Sequence, residues 1–440
     1  MGEGRRKTQR MYKLEPAAVY AHETVLADAR YKSRLDRVVA ALDAPTEVTV
    51  FSDAELPRLL AEKQLLARRV PMGTLRSIPD PVLIFDTFRF DERRQERERF
   101  LGKLDIPGGY HLREALTGCG PFCWFTEEDL SRRICRPCWR LHFQNGCAHK
   151  CHYCALGGLL VTMVNVEDYI SQLDRLIKLH PWQETYLFED DAEVLCLEPE
   201  LDCLGRMIEY FGTLEDRYLI IHAKSANVDW MLDLKHNGRT IIVWSVSTPS
   251  QAERFEPAAA GATERIEAAR KAQNAGYVVR YKFKPIIPMR DWREQAAETV
   301  KLLLQRTQPD VVSLCVFMWT DFADMKQRLD LSLLDQGFVA AAEAAQERLK
   351  GESTRPFPPE VRAEIYELYL REIRKHNASV PVSLSTESPV VWKVMSDKLG
   401  FQPHDYVCGC GPNSIPGRRR LACNPFTITA AGPQGGFERM

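Results

Sequence analysis

The chain has 440 residues, of which 45% are hydrophobic and 27% are charged, and its formal net charge is −1. A chain of this length can bury a large core, and its near-neutral charge excludes the global basic field of many nucleic-acid-binding proteins. It contains no run of 18 apolar residues and no apolar leader, so we expect a soluble, cytoplasmic protein without membrane contact. Thirteen cysteines in a reducing compartment favour metal or cluster ligation over disulfides.

The first part of the chain predicts an α/β extension. Residues 1–13 are polar and basic, and the apolar spacing of residues 31–42 predicts a helix. Short β-branched runs at 48–51 and 82–85 predict strands. We assign residues 1–138 to this N-terminal extension.

Two close cysteine pairs stand at the end of the extension. Cys119-x3-Cys123 is followed, after eleven residues, by Cys135-x2-Cys138. Two pairs that approach one ion from two sides suit a tetrahedral zinc site with four thiolates. An iron–sulfur cluster is the second interpretation, and a set of buried core thiols is the third.

The next cysteines have a different spacing, Cys147-x3-Cys151-x2-Cys154. A loop this tight can place three thiolates on three corners of a cubane cluster and leaves the fourth iron without a protein ligand. Electron-transfer clusters are held by four cysteines, whereas an open metal position allows a small molecule to bind and react. The alternatives are a zinc knuckle and three unrelated buried thiols.

Strand and helix patterns alternate after the triad. Repeats of 25 to 35 residues are typical of βα units around a parallel sheet. About six strands are too few for a closed eight-stranded barrel, so we predict an open, partial (β/α)6 barrel over residues 139–320. Catalytic groups are expected at the carboxyl ends of its strands, and the triad directly follows the first. The predicted strands are 139–143, 185–188, 218–221, 240–247, 278–283 and 311–317.

Residues 321–440 predict a helical segment that covers the open side of the barrel, with helices at 324–350, 359–377 and 389–399 and a strand at 380–384. Its tail contains Cys408-Gly409-Cys410, and Cys423 follows. Glycines let both sulfurs of a Cys-x-Cys face one centre. We interpret these three cysteines as ligands of an auxiliary iron–sulfur cluster, completed by a residue of the Cys119–Cys138 group. A structural zinc and a redox-active thiol pair are the alternatives.

The triad, with Tyr153 just before its last cysteine, resembles that of radical S-adenosylmethionine (SAM) enzymes. The resemblance implies a [4Fe-4S] cluster on Cys147, Cys151 and Cys154 and SAM on the open iron. It also implies reductive cleavage of SAM to a 5'-deoxyadenosyl radical, with electrons from an external donor such as flavodoxin or ferredoxin.

A longer stretch resembles spore photoproduct lyases, the radical SAM enzymes that repair a thymine dimer in spore DNA. The likeness spans most of residues 14–320 and is densest over residues 230–292. Its pieces there are Leu232-Asp233, Lys235-His236-Asn237-Gly238, Phe255-Glu256-Pro257, Arg265-Ile266-Glu267-Ala268-Ala269, Ala275-Gly276-Tyr277, Pro285-Ile286 and Trp292.

The resemblance implies roles for three barrel residues. Lys224 matches a lysine that contacts the SAM carboxylate, and Ser245 matches a serine beside SAM. Lys284 replaces a small residue that lies over the SAM adenine, so we group it with the cofactor-binding residues.

The hydrogen-return relay of those lyases is changed. They use a tyrosine directly after the last cluster cysteine, where this chain has Ala155, and a cysteine after the second strand, where it has Ala192. Tyr153 and Cys196 are the remaining candidates for catalytic residues; as an alternative, Cys196 is a core thiol. The radical-generating part of the family therefore matches, and the substrate part differs.

We therefore expect a radical SAM enzyme that abstracts hydrogen from a small molecule such as a natural product or metabolite. The first alternative is a photoproduct-lyase-like enzyme acting on DNA, RNA or a nucleotide. The second is a non-catalytic metal-binding protein.

Overall fold

The computed structural model describes residues 14–68, 79–90, 122–127, 129–421 and 424–434, and the single positions 95, 99 and 116. The strands are β1 Ala18–His22, β2 Val48–Phe51, β3 Val82–Asp86, β4 Cys123–Phe125, β5 Trp139–Leu141, β6 Gln144–Gly146, β7 Leu159–Met163, β8 Thr185–Phe188, β9 Tyr218–Ala223, β10 Thr240–Ser245, β11 Val278–Ile286, β12 Val312–Val316, β13 Val382–Leu384, β14 Ile428–Thr429 and β15 Gly432–Pro433.

Most of the helices pack around these strands. They are α1 Glu23–Ala27, α2 Ala29–Ala40, α3 Leu56–Glu62, α4 Val166–Leu179, α5 Leu204–Gly212, α6 Pro249–Phe255, α7 Ala262–Asn274, α8 Trp292–Arg306, α9 Phe322–Arg328, α10 Gln336–Ala345, α11 Pro359–His376 and α12 Pro389–Leu399, with short 3₁₀ turns at Leu65–Arg68, Leu331–Leu333 and Pro425–Thr427. None of the helices in these described ranges combines the length and apolar character needed to span a bilayer.

The larger sheet has eight strands in the order β13-β12-β11-β10-β9-β8-β5-β4. Every neighbouring pair is parallel except β4 with β5. Strands such as β8 and β12 are buried along their whole length, as expected where helices cover a parallel sheet. The prediction of a partial α/β barrel is confirmed, and β13 of the C-terminal segment adds a seventh parallel strand.

A second sheet joins the N-terminal segment to the strands around the cysteine triad. Its order is β2-β1-β3-β7-β6, with β6 antiparallel to β7 and the other pairs parallel. The predicted strand 139–143 ends at Leu141 as β5, because the chain then crosses from the larger sheet to the smaller one, where β6 follows.

Candidate active site

The cysteine loop, residues 147–157, is anchored at both ends by β6 and β7. Gly146 precedes it with φ 101°, and Gly158 follows it with φ 82°. Side chains with a Cβ rarely adopt this left-handed region. At Gly158 an added Cβ would also lie 2.3 Å from the carbonyl oxygen of Arg68. Glycine is thus required where the loop returns to the sheet.

Cys147, Cys151 and Cys154 line one wall of a cavity of about 590 Å³. The loop turns tightly, since the Cys154 N–H donates to the Cys151 carbonyl at 3.0 Å. Burial raises the pKa of the Cys151 thiol to about 12, so the free thiol is neutral and a bound iron would displace its proton. Three thiols on one wall are a donor set that fits three irons of a four-iron cluster.

A buried carboxylate organises the wall beside the triad. Glu256 accepts hydrogen bonds from Lys224 Nζ at 2.7 Å and Ser247 Oγ at 2.7 Å, and also from Tyr153 Oη and the Arg265 guanidinium. Burial alone raises the pKa of Glu256, but the charges of Arg265 and Lys224 outweigh it and hold that pKa well below its usual range. Lys224 and Tyr153 are therefore fixed by one shared, ionised partner.

The other predicted cofactor-binding residues also face the cavity. Ser245 lines it at the end of β10, and Lys284 lines it from β11. The ammonium of Lys284 lies 4.8 Å from the centre of the Trp319 ring and 3.4 Å from Thr386 Oγ1. Burial lowers the pKa of Lys284. The structure thus places Lys224, Ser245 and Lys284 around the same cavity as the triad.

Acidic residues that the sequence analysis missed follow β8. Asp190, Asp191 and Glu193 line the cavity, with Arg140 paired to Asp190. Glu193 accepts a hydrogen bond from the Lys224 backbone N–H at 2.6 Å, and burial raises its pKa to about 7. The signal was available, because an acidic run directly after a buried parallel strand marks the active-site edge.

Cys196, the other candidate for a catalytic residue, is buried away from the cavity. Its side chain is 1% exposed, it interacts electrostatically with Cys147, and it is not among the described residues that line the cavity. It therefore lies in the core. Ala155 and Ala192, which occupy the relay positions implied by the family resemblance, do line the cavity.

The described members of the second cysteine group are not arranged as predicted. Cys123 is paired with Leu141 across β4 and β5, whereas the Cys138 carbonyl accepts from Thr126, three pairs along the same ladder. An offset of three residues puts Cys123 and Cys138 on opposite faces, about 10 Å apart along the strand. This corrects the prediction that both bind one zinc ion. Cys119 and Cys423 lie outside the described residues.

These features agree with the sequence comparisons. The family model described as spore photoproduct lyase matches residues 136–321. The chain resembles spore photoproduct lyases. The relative from Bacillus subtilis is 30% identical over 200 residues, which cover 43% of this chain and 58% of that lyase. The lyase from Clostridium acetobutylicum is 27% identical over 254 residues, 56% of this chain and 72% of the relative. This chain thus spans somewhat more than half of the Bacillus protein's length.

Solved structures of spore photoproduct lyase have the same fold. A variant with bound AdoMet and dinucleoside spore photoproduct matches with a TM-score of 0.58 and 17% identity, over 85% of this chain and 99% of the lyase. The complex with the dinucleoside alone has a TM-score of 0.58 and 16% identity, over 84% and 98% of the two chains. At this level of identity the match establishes the shared fold.

Proposed function

We propose that the chain is a radical SAM enzyme, with a [4Fe-4S] cluster on Cys147, Cys151 and Cys154 and SAM on the open iron. The observation that carries the proposal is the convergence of these three thiols with Lys224 and Ser245 on one cavity. When bound and reduced by an external donor such as flavodoxin or ferredoxin, the cluster with SAM supplies a 5'-deoxyadenosyl radical that abstracts hydrogen from the substrate.

The residues of the cavity would hold SAM. Lys224 would pair its ammonium with the SAM carboxylate, and Glu256 fixes the position of that ammonium. Glu256 stays ionised because Arg265 is buried beside it, so Lys224, which is 16% exposed, has a fixed counter-charge. Ser245 offers a hydroxyl that donates and accepts.

We assign a small-molecule substrate first. The cavity of about 590 Å³ is within the usual size of small-ligand sites, and it must also hold SAM. The C-terminal segment supplies Ser385 and Thr386 to its lining. The alanines at 155 and 192 remove side chains that can return hydrogen to a base, which separates this site from photoproduct repair.

A nucleotide-type substrate is the second candidate, because the solved relatives bind a dinucleoside spore photoproduct. The cavity lining supports it in one respect: five Lys and Arg residues face three Asp and Glu residues, which suits an anionic ligand. The basic side chains are Arg133, Arg140, Lys224, Lys282 and Lys284.

The activity is tested by anaerobic reconstitution with iron and sulfide, reduction with dithionite or flavodoxin, and quantification of 5'-deoxyadenosine. We expect turnover by the wild type, none by Cys151→Ala, and unchanged turnover by Cys203→Ala, a buried thiol at the start of α5. A fully iron-loaded wild type that leaves SAM intact would identify a non-catalytic metal-binding protein.

Substrate class is tested by deuterium transfer into 5'-deoxyadenosine. Label from deuterated nucleosides or oligonucleotides would select the nucleotide-type candidate. Label only from a deuterated metabolite pool would support the small-molecule assignment.

A further inference from the structure

Four thiols outside the cysteine loop lie close enough to one another to interact electrostatically. Cys135 and Cys138 precede β5, and Cys408 and Cys410 follow α12. The thiol of Cys408 interacts with those of Cys410 and Cys135, and the thiol of Cys138 interacts with those of Cys135 and Cys410. The fold thus joins a Cys-x2-Cys and a Cys-x-Cys from distant parts of the chain.

Arg136, inside the first pair, holds the two segments together. Its guanidinium donates to the Tyr406 carbonyl at 2.9 Å and to the His404 carbonyl at 3.3 Å. It also lies 4.5 Å from the centre of the Tyr406 ring. Because Arg136 is buried, these contacts fix the approach of Cys408 to Cys135.

The backbone around the second pair is built for close approach. A Cβ at Gly411 would lie 2.7 Å from Cys408 Sγ and 3.1 Å from Arg136 Cδ, so only glycine fits there. The Gly409 N–H donates to Ser313 Oγ on β12 at 3.2 Å. The Cys-x-Cys loop is therefore seated against the barrel strands.

Cations surround the four sulfurs. Lys282 is 4% exposed, and its ammonium lies 3.5 Å from Cys410 Sγ. The Arg140 guanidinium interacts with Cys138, Cys135 and Cys410. Cys138 and Cys408 are buried and Cys135 and Cys410 partly so. Four thiolates on a metal centre carry excess negative charge, and neighbouring cations offset it.

We propose that Cys135, Cys138, Cys408 and Cys410 hold a second iron–sulfur cluster, which borders the substrate cavity. Cys135 and Cys410 line the same cavity as Cys147, Cys151 and Cys154. A substrate in that cavity would border both sulfur-ligated centres. The proposal does not depend on SAM cleavage.

The spacing of the sulfurs favours a cluster over zinc. Thiolates on one tetrahedral zinc lie about 3.8 Å apart, because each Zn–S bond is about 2.3 Å. In the described part of the chain no three cysteine sulfurs lie within 4.8 Å of one another. A cluster accepts wider spacing because its thiolates bind different irons.

The test removes the cysteine ligands of the cluster on the cysteine loop and measures the iron and sulfide that remain. A Cys147→Ala/Cys151→Ala/Cys154→Ala variant, purified anaerobically, should retain about two or four irons with equal sulfide. It should show the visible absorption of an iron–sulfur cluster, and a paramagnetic resonance signal after reduction. Adding Cys408→Ala and Cys410→Ala should remove both iron and signal.

Zinc without iron in the triple variant, or no metal at all, would overturn the proposal. Adding Cys203→Ala instead of the tail substitutions is the matched control and should leave iron unchanged. If the triple variant does not fold, the wild-type count decides: a total of about four irons, all lost on Cys151→Ala, would also overturn it.

Discussion

At the scale of single residues, Glu256 is the charge on which one wall of the site depends. Its side chain is fully buried between Arg265 and Lys224. Glu256→Gln leaves the buried Arg265 without a counter-charge, and we expect a loss of about 3–5 kcal/mol in the free energy of unfolding. Urea denaturation measures it. Glu253→Gln, at an exposed position one turn earlier, is the control, and equal losses in the two variants would contradict the role of Glu256.

Glu198 makes stability depend on pH. Its Oε1 accepts from the Cys203 and Leu204 N–H groups, and its Oε2 is buried without a hydrogen-bond partner. Burial raises its pKa from 4.5 to about 7. The unfolded chain releases this proton near pH 4.5 and the folded chain near pH 7, so stability falls as pH rises through that window.

Glu198→Gln removes this titration. Relative to the wild type, the variant should gain up to about 3 kcal/mol in the free energy of unfolding between pH 4.5 and pH 8. Urea denaturation across that range measures the difference. Any effect of the substitution that does not depend on pH is the same at every pH and cancels in this comparison. Parallel stability curves for the two proteins would show that Glu198 does not titrate as described.

At the scale of elements, the effect of substituting Gly158, which follows the cysteine loop, can be compared with that of substituting Gly351. Gly158 and Gly351 have φ values of 82° and 80°, but only Gly158 faces a backbone atom. Gly351→Ala should cost about 1 kcal/mol from the backbone conformation. Gly158→Ala should cost about 3 kcal/mol or more, because the loop must also shift.

Iron content also reports whether the cysteine loop is displaced in Gly158→Ala. We expect Gly158→Ala to lower iron per chain after anaerobic reconstitution and Gly351→Ala to leave it unchanged, with thermal unfolding measured in parallel. Full iron in both variants would mean that the loop tolerates the displacement.

At the scale of the whole molecule, local patterns predicted the barrel strands, because buried parallel strands form continuous apolar runs. They did not predict β6, whose residues Gln144-Asn145-Gly146 lack β-branched side chains and pair only because β7 lies beside them. The triad was predictable from its spacing. The Glu256 network was not, since its partners come from four separate segments. The sequence predicted that a residue of the Cys119–Cys138 group joins Cys408 and Cys410, but its spacing did not select Cys135 and Cys138.

A buried ion pair within the C-terminal segment fixes a side chain that contacts the barrel. Arg362 and Glu387 are both fully buried, and their side chains are 2.5 Å apart. Arg362 also donates to the carbonyl of Phe317, which lines the cavity. The pair thus links α11 to the end of β12, where the cavity wall begins.

Arg362→Met or Glu387→Gln alone should each lower the free energy of unfolding by about 3–5 kcal/mol, because each leaves one buried charge without a partner. The double variant should lose less than the sum, since neither charge is then stranded. Lys398→Met, in an exposed pair with Glu367 that joins α12 to α11, should cost less than about 1 kcal/mol. Urea denaturation of the wild type, the two single variants and the double variant gives the coupling energy, and strictly additive losses would mean that Arg362 and Glu387 do not stabilise one another.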